Sequence, residues 1–271
     1  MIGDKNMFIQ SIQLKEIASR RHYPFSLPIF EQFQSLSFIN PITIFIGENG
    51  SGKSTFLEGI SAASQLPAAG GVEVKDDPDF LYAKELADSF YIKWKIKTRT
   101  GFFLRAEDFI SFTKRIKQMR VDAENELTQI EEKYKNKSAY AKSLASLPHE
   151  RTLNQLNHLY QNGLETRSHG ESFLDFFQAR IKPNGLYLLD EPEAPLSPMR
   201  QLTLISIILE AVQNGSQFII VTHSPILMGI PNADLYTFDS SPPANIAFEE
   251  TEHVMVTKQF LEAPQRFIKY L

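Results

Sequence analysis

Apolar and polar positions follow two patterns along the chain, and each predicts a different kind of strand. Ile42-Thr43-Ile44-Phe45-Ile46, Leu186-Tyr187-Leu188-Leu189 and Phe218-Ile219-Ile220-Val221 are almost unbroken apolar runs. Runs of that kind suit parallel strands covered on both faces. Phe8 to Leu14 and Phe90-Tyr91-Ile92-Lys93-Trp94-Lys95-Ile96-Lys97 instead alternate apolar and polar residues, as half-buried strands do. The second of these reaches Thr100-Gly101 and returns through Phe102-Phe103-Leu104-Arg105, which predicts an antiparallel hairpin. Ser35 to Asn40 reads as a further strand, while Arg20 to Pro28 and Pro67 to Asp79 read as loops.

Helical character follows in other segments. Thr55 to Ile60 and Phe173 to Ile181 are predicted helices, and Leu202 to Val212 reads as a buried one. From Asp108 to Gln161, charged and glutamine-rich residues predict a helical insertion of two or more helices, divided at Pro148. A helix of about 30 residues is only about 45 Å long, so this insertion is too short for a long coiled-coil arm. Its basic residues are interleaved with acids, which suits a solvated face; contact with nucleic acid is the other reading.

Candidate chemistry concentrates where strands end. Gly47-Glu48-Asn49-Gly50-Ser51-Gly52-Lys53-Ser54 fits the G-x-x-x-x-G-K-[ST] phosphate loop, directly between a predicted strand and a predicted helix. Small residues there let backbone N–H groups converge on a phosphate, the helix N-terminus adds partial positive charge, and Lys53 adds a full one. Ser54 would place its hydroxyl on Mg²⁺, and Thr55 follows at the helix start. The chain is therefore expected to bind a nucleoside triphosphate.

The strand at Leu186–Leu189 ends in Asp190 and Glu191, at the carboxyl end, where ligands of open α/β sheets sit. Asp190 is expected to hold Mg²⁺, and Glu191 to orient or deprotonate an attacking water. The strand at Phe218–Val221 runs through Thr222 to His223, which would lie on the same sheet edge and sense the cleaved phosphate.

Composition narrows the setting. A chain of 271 residues, 42% hydrophobic and 22% charged, suits one large α/β domain or a domain with a substantial insertion. The net charge of −4 gives no overall attraction to nucleic acid, so any such contact needs a local patch. There are no cysteines, hence no disulfides or thiolate metal sites. The N-terminus lacks a signal-peptide pattern and no apolar run approaches the roughly 20 residues of a membrane span, so a cytoplasmic location is expected. The histidines are scattered, and no further acidic cluster suggests a nuclease.

Taken in order, these parts resemble the ATP-binding cassette (ABC) ATPases, and in particular their SMC- and RecF-like branch with its small bacterial predicted AAA-type ATPases. The wording Glu-Asn-Gly-Ser-Gly-Lys-Ser-Thr is typical of that superfamily. The resemblance implies a phosphate-loop NTPase fold with a mixed central sheet, an antiparallel N-terminal β subdomain and a helical insertion. It implies an N-terminal lobe over 1–107, insertion and signature over 108–170, and a C-terminal lobe over 171–271. Arg167-Ser168-His169-Gly170-Glu171-Ser172 resembles the family signature, with Ser168 and Gly170 expected to bind the γ-phosphate held by an opposite subunit. A homodimer closing head to tail on ATP and Mg²⁺ follows from the resemblance.

Several positions depart from the pattern. His169 stands for the usual signature glycine and Glu171 for glutamine, and Pro195 and Ser197 make the D-loop at 194–197 atypical. No glutamine follows Arg105, leaving Glu107 as the candidate for a metal-contacting role. Tyr23 or Phe25 would stack on adenine, and Arg20 and Arg21 would reach phosphates; each equally suits ordinary packing or surface. The resemblance favours an ATPase switch acting with a nuclease or effector partner in DNA repair or phage defence. The alternatives are the ATP-binding subunit of a membrane transporter and a scaffold that hydrolyses little.

Overall fold

The unbroken apolar runs become strands of one buried sheet. The structure, a computed structural model, describes residues 7–16, 20–69, 81–159 and 169–269. It divides into two units, Met1–Ala106 with Ile181–Leu271, and Glu107–Arg180.

The first unit opens with strands β1 (Ile9–Leu14), β2 (Ser35–Ser37) and β3 (Ile42–Ile46) and helices α1 (Lys53–Ser64) and α2 (Leu81–Ser89). Strands β4 (Phe90–Trp94) and β5 (Gly101–Arg105) follow. Helices α3 (Ala106–Lys133), α4 (Ala139–Leu159) and α5 (His169–Arg180) build the second unit. The first unit resumes with β6 (Leu186–Asp190), α6 (Pro198–Gln213), β7 (Gln217–Val221) and α7 (Pro225–Met228). It ends with β8 (Asp234–Thr237), β9 (Ala244–Asn245), α8 (Glu252–Glu262) and α9 (Pro264–Ile268).

Strands β5, β6, β7, β3 and β8 run parallel in that order, and β9 pairs antiparallel at the edge. Every residue of β3, β6 and β7 is buried, which is why these sequences show no alternation. Strand β1 lies between β2 and β4 in a separate antiparallel sheet. A mixed central sheet with an antiparallel N-terminal one is the architecture expected from the sequence. The side chain of Gln217 ties the two sheets: its Oε1 accepts from Phe8 N (2.8 Å) and Ile9 N (2.9 Å), and its Nε2 donates to Ile9 O (3.1 Å). The core is strongly aromatic around Phe56 of α1, whose ring centroid lies 5.1 Å from Phe33, 5.3 Å from Phe90 and 5.8 Å from Phe45.

Three expectations need correction. The segments 90–97 and 102–105 do not form a hairpin: β4 pairs with β1, and β5 pairs parallel with β6. The pattern difference explains it, since β4 alternates while Phe102, Phe103 and Leu104 are all buried, the signature of a strand in the parallel sheet. Pro148 does not divide the insertion but lies inside α4. The break falls after Lys133, and the Ser138 hydroxyl then accepts from Ala141 N (3.2 Å) at the start of α4, so turn and capping residues outweigh the proline. Finally, α6 is buried on one face only: Leu204, Ile208, Ala211 and Val212 point inward, whereas Met199 and Leu202 are exposed.

In the second unit, Ile116, Ala123 and Ile130 are buried at seven-residue spacing along α3. Arg120 of α3 donates to Asn157 of α4 (2.7 Å), and Lys142 pairs with Glu131 (3.2 Å). The base of this unit is aromatic, with Phe109 4.8 Å from Phe173 and Phe112 5.1 Å from Phe176.

Candidate nucleotide site

The phosphate loop leaves the carboxyl end of β3, the point where a parallel sheet delivers ligand-binding residues. It leads into the N-terminus of α1, whose first N–H groups have no intrahelical acceptor. Gly47 has φ +139°, which calls for glycine, and a Cβ there would lie 2.7 Å from Asp239 Oδ1 and displace that carboxylate. That carboxylate oxygen accepts from Glu48 N at 2.6 Å and fixes the start of the loop.

Lys53 is almost fully buried and folds back over the loop, with Nζ donating to Gly47 O (2.8 Å) and Glu48 O (2.7 Å). Burial pushes its ammonium below the usual lysine pKa, and the acids Asp239, Glu191, Asp190 and Glu48 oppose that shift. Ser54 Oγ donates to Asp190 Oδ1 at 3.1 Å, across from the end of β6. Asp190 is buried, and its carboxyl is pushed up to about 7, first by burial and then by the nearby charge of Glu58. Glu58 itself is buried on α1, accepting from Tyr82 Oη (2.7 Å) and pairing with Arg105 (3.5 Å).

Glu191 follows with φ 48°, a left-handed conformation that a non-glycine residue adopts only when its surroundings impose it. Its N–H donates to Val221 O (2.9 Å), which turns the chain and leaves its side chain about half exposed. His223 Nε2 lies 3.8 Å from Glu191 Oε1, and His223 N donates to Glu193 Oε1 at 2.8 Å. Burial, followed by the charge of Lys53, holds the His223 pKa below its ordinary value, so the ring is neutral near neutral pH.

Asn49, Gly50, Lys53, Ser54, Glu191 and His223 line one cleft of ≈ 390 Å³. Gly52 and Thr55 share its wall, while Gly47, Glu48 and Ser51 hold Lys53 from behind. Tyr23 is half exposed at the rim, its hydroxyl 3.1 Å from Thr55 Oγ1. Phe25, the other aromatic candidate, is buried against Phe30. Arg20 donates to the carbonyls of Phe30 and Glu31 and lines a different hollow. Leu196 of the D-loop segment is buried, and Ser197 stands at the N-cap position of α6.

Gly170 lies in the first turn of α5 and is buried, whereas Ser168 is outside the described residues. Glu107 lies in the first turn of α3, and its side chain is outside the described residues. Sequence reasoning missed four residues. Glu193 and Asp239 brace His223 and the loop, Glu58 sits behind Asp190, and His253 places Nε2 3.1 Å from His223 Nδ1. Of these, only Glu193 carried a signal, as the third acid of Asp-Glu-Pro-Glu.

The donor set fits a nucleotide-bound divalent cation. A hydroxyl and a buried carboxylate in contact offer hard oxygens, with phosphates completing the shell. Among the described residues no group of three or more His, Cys, Asp or Glu side chains is placed to hold a metal unaided. Among them, too, no helix is long and apolar enough to cross a membrane.

Residues 172–229, which include Asp190, Glu191 and His223, match the family described as "AAA domain, putative AbiEii toxin, Type IV TA system". No curated protein matches the chain by sequence. Among solved structures, it is similar to the Smc head domain of Pyrococcus furiosus with an extended coiled coil, bound to the C-terminal domain of ScpA. That match has 14% identity over 95% of this chain and 100% of the other, with a TM-score of 0.50. It also aligns with an ATP-binding cassette of an ABC transporter at 21% identity, over 98% and 99% of the two chains, with a TM-score of 0.46. The SMC head domain from Thermotoga maritima aligns at 13% identity, over 89% and 100%, with a TM-score of 0.43. In fold, then, the chain is similar to the Smc head domain, with a phosphate loop between β3 and α1.

Proposed function

We propose that the chain hydrolyses ATP in this cleft, with the nucleotide acting as a switch between two copies of the protein. The observation that carries the reading is the convergence on one hollow of Lys53 and Ser54 from α1, Glu191 from beyond β6 and His223 from beyond β7. Lys53 and the N-terminus of α1 would hold the β- and γ-phosphates. Ser54 and Asp190 are the residues that would hold Mg²⁺, which when bound neutralises charge on the phosphates. Glu191, exposed to the cleft, positions the attacking water and draws off its proton, and His223 donates to the γ-phosphate.

Head-to-tail closure is supported by the signature-like sequence Ser168-His169-Gly170-Glu171, whose last three residues open α5 and whose Ser168 and Gly170 would engage a nucleotide held by another copy. Glu107 is proposed as a further metal contact on the resemblance alone. The match of residues 172–229 to a family described by a toxin–antitoxin system supports a role in defence, and a nuclease or effector partner is proposed on the resemblance alone. A Glu191→Gln protein tests the switch. Analytical ultracentrifugation with ATP and Mg²⁺ should show a dimer that ADP does not support. A Glu191→Gln monomer at saturating ATP would contradict the proposed closure.

A further inference from the structure

His223 and His253 meet ring to ring beside the cleft, with centroids 5.2 Å apart and Nδ1 of His223 3.1 Å from Nε2 of His253. The other nitrogen of His223, Nε2, faces Glu191 Oε1 at 3.8 Å. Two imidazoles share a hydrogen bond only when one nitrogen donates and the other accepts. Were His223 Nδ1 the donor, its Nε2 would turn a bare lone pair toward the Glu191 carboxylate and toward any phosphate in the cleft. With His253 Nε2–H donating instead, the His223 proton sits on Nε2, facing the anions. Neutral or charged, His253 can supply that donor.

We infer that His253 is a positioning residue that locks His223 in its Nε2–H tautomer, making it a hydrogen-bond donor to the terminal phosphate. The identity of that phosphate rests on the ATP reading of the cleft; the tautomer itself rests on geometry alone. The backbone carrying each ring is anchored. His253 lies in the first turn of α8, two residues after Thr251, which is fully buried and donates through Oγ1 to Phe248 O (2.9 Å). His223 is fixed through its backbone by Glu193. The charged groups facing His223 are Lys53 of α1, Glu48 of the phosphate loop, and Glu191 and Glu193 beyond β6. Its neutral state, set by burial and Lys53, is the state in which the tautomer matters.

The test uses the full chain labelled with ¹⁵N-histidine, the His223 resonances being identified by their loss in His223→Gln. The wild type should show the Nε2–H pattern, and His253→Phe, which keeps a ring but removes the donor, should shift it toward a tautomer mixture. A wild-type Nδ1–H pattern, or one unchanged in His253→Phe, would overturn the inference. In steady-state hydrolysis, His253→Phe should lower kcat on the order of 10-fold at little-changed KM for ATP, the scale of loss when an orienting hydrogen bond is removed. His253→Gln, whose amide NH₂ donates from a similar place, should recover most of it. Equal losses in both variants would mark a merely structural role and count against the assignment. Absent turnover in the wild type would refute the ATPase reading, and the spectra would still decide the tautomer.

Discussion

Ser54 Oγ donates to Asp190 Oδ1 at 3.1 Å, joining the phosphate loop to the end of β6 across 136 residues of sequence. The hydrogen bond itself favours the charged carboxylate, but the place of Asp190 in the fold outweighs it. Without a bound cation the Asp190 carboxyl rises from 3.8 to about 7, because it is buried and lies near Glu58. The folded chain therefore keeps a proton that the unfolded chain releases. Stability from this group is full below about pH 4 and is lost as pH rises toward about 7. The slope is at most about 1.4 kcal/mol for each step of one in pH, a few kcal/mol in all. Urea unfolding over this range should show that fall in the wild type and a flatter profile in Asp190→Asn. A nucleotide-bound cation on the carboxylate should offset it.

Arg105 sits opposite Asp190 in the β5–β6 register and pairs with the buried Glu58 at 3.5 Å. Arg105→Met leaves two buried acids side by side without that cation. Breaking a buried pair from one side costs about 3–5 kcal/mol. Adding Glu58→Gln should return much of the loss, which a double-mutant cycle in urea would read directly. A single-variant loss well below 1 kcal/mol would mean that Glu58 carries no charge in the fold.

Gly59 offers a case where helix propensity points the wrong way. Alanine is the better helix former by about 1 kcal/mol. Yet a Cβ at Gly59 would lie 2.8 Å from Phe90 Cε2 and 2.9 Å from Leu86 Cβ, where α2 and β4 press on α1. Gly59→Ala should destabilise by about 1–3 kcal/mol through overpacking. Thermal unfolding checks the sign.

Tyr23 and Phe25 are equal candidates by sequence for stacking on a base, and the fold separates them. Tyr23 is half exposed at the cleft rim, whereas Phe25 is buried in the aromatic core. Tyr23→Ala should weaken ATP binding about tenfold, on the scale of one base–aromatic stack, at little cost in stability. Phe25→Ala should instead lower stability by about 3–5 kcal/mol. Titration calorimetry and urea unfolding of the two variants read this contrast.

Much of the fold is legible in the sequence because the parallel strands are buried on both faces and their residues cannot hide it. The convergence of Lys53, Ser54, Glu191 and His223 on one cleft, and the contact of Ser54 with Asp190, are legible because each residue lies in or just beyond a strand in a recognisable motif. Between β4 and β5, the turn signal at Thr100-Gly101 is outweighed by the difference between an alternating run and an apolar one. Pro148 misleads for a similar reason: one local breaker counts for less than the neighbouring cap at Ser138. His253, Asp239 and Glu58 carry no local signal at all. They act through contacts that only tertiary structure makes, with His253 coming from a helix 30 residues beyond His223.

The proposed ATP hydrolysis turns on Glu191, held in a left-handed backbone beside Lys53 and His223. Steady-state phosphate release, measured for wild type and Glu191→Gln at saturating ATP and Mg²⁺, tests it most directly. Turnover should fall on the order of 100-fold or more in the variant, as expected for loss of a general base, while ATP still binds. Turnover equal to wild type in Glu191→Gln would contradict it.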